Sequence, residues 1–213
     1  MRMRKKKNGE ERIEACAHLL CRDMEILKND PRAPFGNDHP IHLEIGCGKG
    51  SFINALSERE KDTNFYALEM IPDAIVHALE KAVQKEDSSN IRFIIGNAKN
   101  LLEIFPAHSI DRIYLNFSDP WPKSRHAKRR LTYRTFLEIY KTLLREGGSL
   151  YFKTDNIGLF EFSVEEFEAF GVKIDFISRD LHNSELAETN IMTEYERNFS
   201  EKGFKINCAH IRF

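Results

Sequence analysis

The alternation of short apolar runs with amphipathic helical runs limits the folds open to this chain more than any other feature. Strand-like runs occupy 41–45, 64–69, 91–95, 110–116, 148–154, 172–179 and 204–212. Helical patterns fall between them, at about 50–60, 72–86, 98–105, 132–145 and 158–170. Such alternation predicts βαβ units and a mostly parallel sheet with helices on both faces. The last two of the seven runs lack a comparable crossover helix, so we expect an antiparallel final strand.

The 213 residues suffice for one sizeable domain around a single core. Residues 10–28 have an apolar stripe at helical spacing, and the proline-containing stretch 29–37 ends it. We therefore predict a basic amino-terminal arm and helix over 1–36, followed by the α/β domain over 37–213. No apolar run approaches the ~18 residues of a membrane span, and the basic start is unlike a signal peptide. No membrane association is expected.

The four cysteines, Cys16, Cys21, Cys47 and Cys208, form no C-x-x-C pair and no disulfide framework. Reduced thiols in the cytoplasm are the simplest interpretation. Cys16, His18 and Cys21 lie near one another in the sequence, but zinc sites favour tighter, paired spacings and a fourth ligand is not evident. We expect no metal.

The net charge of −1 and the pI of about 6.7 do not by themselves indicate a nucleic-acid partner. The distribution of charge does, because basic residues concentrate in residues 2–7 and again in 123–134. Local fields matter more than net charge for phosphate binding. We expect both segments to contact the phosphates of a nucleic acid, although charge runs also occur as ordinary solvated surface.

A glycine loop follows the first predicted strand, in the order Glu44, Ile45, Gly46, Cys47, Gly48, Lys49, Gly50. A dinucleotide-binding loop would have its third glycine at position 51, which is Ser51. A carboxylate ahead of the glycines suits a ligand with an ammonium group better than one with a pyrophosphate. The loop therefore resembles the S-adenosylmethionine loop of Rossmann-like methyltransferases.

Two further residues lie at the ends of the next two strands. Glu69 follows the glycines by roughly 20 residues, where an acid commonly holds the ribose hydroxyls of an adenosine cofactor. Asn97 follows the third strand, and its amide could pair with the adenine edge. Without Glu44 and Glu69, a tight turn would be the better explanation of the glycine loop.

The most distinctive stretch runs from Asn116 to Arg130 and reads N-F-S-D-P-W-P-K-S-R-H-A-K-R-R. Asp119 follows the fourth strand, at the edge where α/β sheets bind ligands. Pro120 and Pro122 restrict the backbone, and Trp121 offers a stacking face for a base, worth ~1–3 kcal/mol. The ordinary alternative is a capping loop with a core tryptophan. The basic residues that follow suit phosphate oxygens.

Two later segments belong to the same edge of the predicted sheet. Asp155 follows the fifth strand, as Asp119 follows the fourth. Residues 190–196 lie in a long polar connection between the last two strands, and such connections are often lids or binding loops. An ordinary helix start capped by Thr193 would explain the 193–196 stretch equally well.

These motifs together resemble the bacterial tRNA (guanine-N7-)-methyltransferases, a family of class I S-adenosylmethionine-dependent enzymes. The resemblance rests on the glycine loop, on 116–130, on Lys153-Thr154-Asp155 and on Thr193-Glu194-Tyr195-Glu196, and it covers nearly the whole chain. It implies a Rossmann-like fold, S-adenosylmethionine as methyl donor, tRNA as partner, and methylation of guanosine 46 in the variable loop.

The resemblance also implies roles for individual residues. Those expected around the donor are Glu44, Gly46, Gly48, Gly50, Glu69, Asn97 and Asp119. Those expected around the substrate are Lys123, Asp155, Thr193, Glu194, Tyr195 and Glu196. Those expected to contact RNA are Arg125, His126, Lys128, Arg129 and Arg130. Asp119 is the expected catalytic residue, with Asp155 second. Family members often have Asp where this chain has Asn97, and an amide can still both donate to and accept from adenine.

Three alternatives remain at this point. An RNA-binding protein without catalysis would not need the intact set of Glu44, Glu69 and Asp119. A dinucleotide oxidoreductase is disfavoured by the glycine spacing. A methyltransferase for exocyclic amines often has two adjacent prolines after its acid, whereas Trp121 separates Pro120 from Pro122 here. Whether the chain is a monomer or a homodimer is left open.

Overall fold

One seven-stranded sheet organises residues 8–213, which are the residues that the computed structural model describes. The predicted arm, residues 1–7, lies outside this range. The strands are β1 (Ile41–Ile45), β2 (Asn64–Glu69), β3 (Ile91–Ile95), β4 (Ile110–Asn116), β5 (Leu144–Thr154), β6 (Lys173–Ser178) and β7 (Asn207–Arg212). Their order is β3-β2-β1-β4-β5-β7-β6. The pairs from β3 to β5 are parallel, and β7 is antiparallel to both β5 and β6. The predicted sheet and its antiparallel last strand are confirmed.

Helices cover both faces of the sheet, as predicted. They are α1 (Gly9–Ala15), α2 (Met24–Asn29), α3 (Ser51–Arg59), α4 (Pro72–Val83), α5 (Leu101–Ile104), α6 (Arg134–Leu143), α7 (Ile157–Phe170) and α8 (Glu194–Ser200). Short 3-10 helices span Ala17–Leu19, Ala98–Asn100, Ser124–Arg129 and Leu181–Asn183. Tyr66 and Leu68 of β2 share one apolar cluster with α2, α5, α6 and α7, whereas Phe65 and Ala67 share the other with α1, α3 and α4. This division follows from the alternation of strand side chains between the two faces.

The amino-terminal extension differs from the single helical stripe that the sequence suggests over 10–28. The chain forms α1 and α2 with a non-helical stretch between them, in which Leu20 bridges to Phe93 of β3 and Cys21 N donates to Phe93 O at 2.9 Å. Asp23 then starts α2 afresh, because its carboxylate accepts from the amides of Glu25 and Ile26. Pairing with the open edge of β3 competes with helix formation there, and helical periodicity alone carries no sign of this competition.

β1 has a parallel neighbour on each side, β2 and β4. The chain therefore leaves the carboxyl end of β1 in one direction and that of β4 in the other, which opens a crevice between the two connections. Gly50 lets α3 start tightly beside this crevice. A Cβ on Gly50 would lie 2.4 Å from the Cβ of Ala78 in α4, and its φ is +72°. The missing side chain of Gly50 thus serves the packing of α3 against α4.

We predict that Gly50→Ala lowers the free energy of unfolding by about 2–4 kcal/mol, through overpacking added to a left-handed backbone. Gly46→Ala is the matched control, because Gly46 has a similar φ of +79° but open space where its Cβ would lie. It should cost only about 1–2 kcal/mol. Urea denaturation measures both. Equal losses would show that the contact with Ala78 is unimportant.

Candidate functional site

A cavity of about 310 Å³ lies in the crevice at the carboxyl ends of β1 and β4. One wall consists of Glu44 and the glycine loop, from Gly46 to Ser51. The opposite wall consists of Asn116, Phe117 and the start of α8, including Thr193, Glu194 and Tyr195. Segments far apart in the sequence therefore enclose one space. The part of its wall formed by residues 193–195 comes from the connection between β6 and β7.

Glu44 supplies an unsatisfied negative group to this cavity. Its side chain is buried, its Oε1 accepts a 2.8 Å hydrogen bond from Asn116 Nδ2, and its Oε2 is buried without any partner. Burial is the main cause that raises the pKa of Glu44 to about 7, and Asn116 and Lys153 oppose the rise. A buried carboxylate oxygen without a partner is costly unless a ligand donates to it. The geometry fits a cationic group, such as the ammonium of S-adenosylmethionine.

The glycine loop leaves room for a ligand to approach its backbone. Gly46 and Gly48 have φ values of +79° and +55°, and a Cβ on either would meet nothing within 4 Å. The backbone amide of Gly48 donates to Glu69 Oε2 and that of Ile71 donates to Glu69 Oε1, both at 2.9 Å. These bonds hold Glu69 at the end of β2, while its oxygens keep lone pairs that can accept from ribose hydroxyls. The residues present fit an adenosine-containing cofactor.

Asn97 lies where the predicted adenine site requires it, after β3. Its Oδ1 caps a 3-10 helix by accepting from Lys99 N at 3.0 Å, and its amide nitrogen lies 3.5 Å from Met70 Sδ. Met70 itself is 60% exposed. An amide donor beside an exposed apolar side chain is suited to a flat heteroaromatic ring. The contact between Asn97 and adenine stays a prediction.

The loop after β4 is held in a strained conformation. Of the four non-glycine residues with positive φ among residues 8–213, two lie here, namely Phe117 at +53° and Trp121 at +42°. Arg130 braces the loop by donating to the carbonyl oxygens of Pro120 and Trp121, each at 3.0 Å. Positive φ at bulky residues persists only where the surroundings enforce it, and it is often found at functional sites.

Asp119 is exposed at the tip of this loop and is not part of the cavity wall. Trp121 is half-buried, and its ring has the guanidinium of Arg129 over it at 4.8 Å and the edge of His126 at 5.8 Å. The indole is thus already partly covered by the basic residues that follow it. Stacking of a base on this ring stays a prediction.

The basic block forms a short 3-10 helix, Ser124–Arg129, in the connection that follows β4. Lys123, Arg125 and Lys128 are exposed, and within residues 8–213 none of them forms an ion pair. Arg134, in contrast, forms an ion pair with Glu166 at 2.8 Å, so its charge is already neutralised within the protein. Lys123, Arg125 and Lys128 therefore remain available to bind phosphates. Arg130, which is also expected to contact RNA, instead mainly holds the loop in place.

A buried ion pair joins the end of β5 to the start of α8. Lys153 Nζ donates to Glu196 Oε2 at 2.8 Å, and the side chains are 7% and 0% exposed. Glu196 Oε1 lies 2.9 Å from His182 Nε2 and accepts from Asn190 Nδ2 at 2.6 Å. Burial alone would raise the pKa of Glu196, but Lys153, His182 and Asn190 lower it below its usual value. Both oxygens of the Glu196 carboxylate therefore have partners within the protein.

The other three residues of the 193–196 motif occupy the cavity wall. Thr193 caps α8 by accepting from Glu196 N at 2.8 Å, so this stretch is a capped helix start and also part of the cavity. Glu194 pairs with Lys49 of the glycine loop at 2.9 Å, across the cavity mouth. Tyr195 Oη donates to Asp155 Oδ2 at 3.5 Å, which links Asp155 to the cavity through the tyrosine ring.

The structure thus brings together Glu44, the three glycines, Thr193, Glu194 and Tyr195, with Asp155 behind the tyrosine. Glu69 and Asn97 lie along the neighbouring strand ends, and Asp119, Lys123 and the basic block lie on the adjoining loop. Sequence reasoning missed Asn116 and Lys153 as site residues. Both lie at the carboxyl ends of central strands, and this position is the signal by which they could have been found.

Two kinds of feature are absent from residues 8–213. These residues contain no helix that is long and apolar enough to cross a bilayer. In the same range, no group of histidine, cysteine or acidic side chains is arranged to hold a metal ion. All four cysteines are free thiols.

The fold defines the class of protein. A solved structure described as an antibiotic-related methyltransferase superposes with a TM-score of 0.64 at 17% identity, over 87% of this chain and 92% of that one. The 16S rRNA methyltransferase KamB gives a TM-score of 0.63 at 13% identity, over 84% and 89% of the respective chains. At such identities the likeness concerns the fold alone. The chain has the Rossmann-like class I methyltransferase fold, as predicted.

The sequence comparisons define the family. The family described as "Putative methyltransferase" matches residues 38–209. The tRNA (guanine-N(7)-)-methyltransferase of Geobacillus sp. (strain WCH70) is 45% identical over 100% of this chain and 96% of the relative. The enzyme of the same name from Listeria monocytogenes serotype 4b is 46% identical over 100% and 99%. The chain belongs to the tRNA (guanine-N(7)-)-methyltransferase family, which confirms the resemblance seen in the motifs.

We predict that affinity for S-adenosylmethionine rises roughly tenfold between pH 5.5 and 7, because an ammonium ligand requires the ionised form of Glu44 and the pKa of this group is raised to about 7. Binding should release a proton. Calorimetry at several pH values and in buffers of different ionisation enthalpy measures both effects. Glu44→Gln should bind weakly, without this pH dependence. A flat profile in the unaltered protein would contradict the assignment.

We predict that Glu196→Gln lowers the free energy of unfolding by about 3–5 kcal/mol, because it leaves the buried ammonium of Lys153 without a counter-charge. The double change Lys153→Met with Glu196→Gln should recover part of this loss. Urea denaturation measures all three variants. Glu161→Gln, which breaks an exposed pair with Arg179, is the control and should cost below about 1 kcal/mol. A similarly small loss at Glu196 would contradict a buried, paired carboxylate.

Proposed function

We propose that this protein transfers a methyl group from S-adenosylmethionine to N7 of guanosine 46 in the variable loop of tRNA. Membership of the tRNA (guanine-N(7)-)-methyltransferase family, with relatives 45–46% identical over the whole chain, supports the reaction and the substrate class. The nucleotide position rests on the family resemblance. The proposal includes a cytoplasmic location, which suits four unpaired thiols.

The proposal is carried by one observation, namely that a single cavity is lined both by the glycine loop with Glu44 and by aromatic residues from two other segments. Glu44, whose Oε2 is buried without a hydrogen-bond partner, lines this cavity together with Phe117 and Tyr195. A flat base entering between the rings and the glycine loop would approach a ligand held by Glu44. Holding two reactants in line can supply up to about 7–11 kcal/mol of the barrier.

The chemistry of guanine N7 explains why no strong base is needed. N7 has a free lone pair, which forms the new bond to carbon while the electron pair of the broken sulfur–carbon bond stays on sulfur. When bound, S-adenosylmethionine supplies a methyl group activated by its sulfonium charge. No proton has to leave N7, so the reaction needs no histidine base on the cavity wall. Cys47 does line the cavity, but burial raises the pKa of its thiol and the reaction does not require it as a nucleophile.

Carboxylates near the acceptor would stabilise the positive charge that develops on the guanine ring. Asp119 is our first candidate, because it lies exposed on the loop two residues beyond Phe117. Asp155 is the second, and its contact with Tyr195 places it behind the cavity wall. Carboxylates can also accept from guanine N1–H and the exocyclic amine, which adenine does not offer in the same arrangement.

The remaining predicted residues would hold the RNA in register. Lys123, Arg125 and Lys128 are exposed and available to phosphates, and His126 and Arg129 lie beside them against Trp121. Phosphate contacts position a nucleic acid without reading its sequence. Thr193, Glu194 and Tyr195 would contact the nucleoside directly. The carboxylate of Glu196 is already bonded within the protein, so Glu196 would act by holding residues 193–195 in place.

The decisive experiment measures methyl transfer from labelled S-adenosylmethionine to unmodified tRNA transcripts, one of which has adenosine in place of guanosine 46. We expect label on the first transcript and none on the second, with 7-methylguanosine as the labelled nucleoside. Label on both would discard the position. Label at an exocyclic amine would favour the alternative reaction. No transfer despite donor binding would favour an RNA-binding protein.

We predict that Asp119→Asn lowers kcat by about 100-fold or more, as expected when a charge that acts mainly in the transition state is removed. Asp155→Asn should have a smaller effect. Steady-state kinetics with tRNA measures both, and Glu161→Gln serves as an exposed acid outside the cavity wall. Wild-type kcat in Asp119→Asn would remove this residue from catalysis, and a larger loss in Asp155→Asn would transfer the role to Asp155.

A further inference from the structure

A row of four aromatic side chains leads from the cavity to the outer surface of α8. This aromatic strip consists of Phe117, Tyr195, Phe199 and Phe204. Successive ring centroids are 5.1, 4.2 and 5.4 Å apart, and Tyr195 and Phe199 are stacked with an interplanar angle of 17°. Phe117 and Tyr195 line the cavity, so the strip is continuous with the site where the acceptor base would lie.

The outer part of the strip is open to solvent. Phe204 is 51% exposed and Tyr195 is 44% exposed, and Phe199 is half-buried between them. Packing at the end of α8 accounts for part of this arrangement, because Phe204 N donates to Phe199 O at 3.1 Å and so folds the chain back over the helix end. Packing alone does not explain why the outermost ring remains half in water. Large exposed aromatic residues next to a site are typical of interaction surfaces.

The charges around the strip suit an anionic polymer. The ammonium of Lys202 lies over the ring of Phe199, 5.4 Å from the ring centroid. The acids of α8 nearest the cavity are neutralised within the protein, since Glu194 pairs with Lys49 and Lys81 and Glu196 is buried against Lys153. A phosphate backbone could therefore pass along α8 while a base rests on the exposed ring.

We propose that the aromatic strip stacks the unpaired nucleobase next to the target guanosine. The inference rests on the proposed function and extends it to a second nucleotide. Moving one base out of a loop breaks its stacking on both neighbours, and an exposed aromatic ring beside the pocket restores one of these contacts. Phe204 and Phe199 receive the neighbouring base, while Tyr195 and Phe117 face the target. Stacking is tolerant of sequence, so the strip adds affinity without selecting the neighbouring base.

The test uses three variants of the outermost ring, Phe204→Ala, Phe204→Leu and Phe204→Tyr, and a full tRNA transcript with 2-aminopurine beside the target guanosine. This fluorescent base is quenched when it stacks. We expect quenching in the unaltered protein and in Phe204→Tyr, and its loss in Phe204→Ala. The KM for tRNA should rise about fivefold or more in Phe204→Ala, with kcat and donor affinity unchanged, because Phe204 lies outside the donor cavity. Phe204→Leu should resemble Phe204→Ala.

Each other outcome overturns the inference in a distinguishable way. If the unaltered protein methylates tRNA but does not quench the probe, the strip does not stack the neighbouring base while the proposed function stands. If Phe204→Leu behaves like the unaltered protein, the ring serves only apolar packing. If light scattering shows that Phe204→Ala dissociates a dimer, the strip binds a second copy of this chain. If the unaltered protein transfers no methyl group to tRNA guanosine, the proposed function fails and the inference fails with it.

Discussion

The position of β1 between two parallel neighbours is the constraint on which the rest of the site depends. Because β2 and β4 flank β1, the connections that leave β1 and β4 diverge and open a crevice at their carboxyl ends. At these strand ends Asn116 Nδ2 donates to Glu44 Oε1 at 2.8 Å, and the glycine loop begins beside them. A strand order in which β1 and β4 were not neighbours would separate these groups, however well each were suited to its ligand.

The second half of the site depends on a single buried ion pair. α8 lies outside the parallel part of the sheet, in the connection between β6 and β7, and Lys153 holds it against β5 through Glu196. Burying two charges costs desolvation free energy. Hydrogen bonds from His182 and Asn190 to the carboxylate of Glu196 help to offset this cost. Thr193 and Tyr195 reach the cavity because the residue next to Tyr195 is fixed in this way. The ion pair is thus a positioning device for the part of the cavity wall formed by residues 193–195.

Polar groups in this protein divide into those satisfied by the fold and those left for a ligand. Arg134 and Glu196 have their partners inside the chain, and Arg130 bonds to two loop carbonyls. Glu44 Oε2 has no partner, and Lys123 and Arg125 form no ion pair within residues 8–213. The sequence presents all of these as charged residues within motifs. Residue type does not indicate which of these groups already have hydrogen-bond partners within the protein, because those partners come from distant segments.

The sequence by itself determined the strand and helix alternation, the glycine loop with Glu44, and the acids at the strand ends, because periodicity and motif spacing are local properties. Only the tertiary structure decided that Glu196 is buried against Lys153, that the stripe over 10–28 is interrupted by pairing with Phe93, and that Trp121 is covered by Arg129. It also assembled Phe117, Tyr195, Phe199 and Phe204 into one strip from two distant segments. Each of these depends on which chain segments meet across the sheet edge, and that is set by the packing of the whole chain.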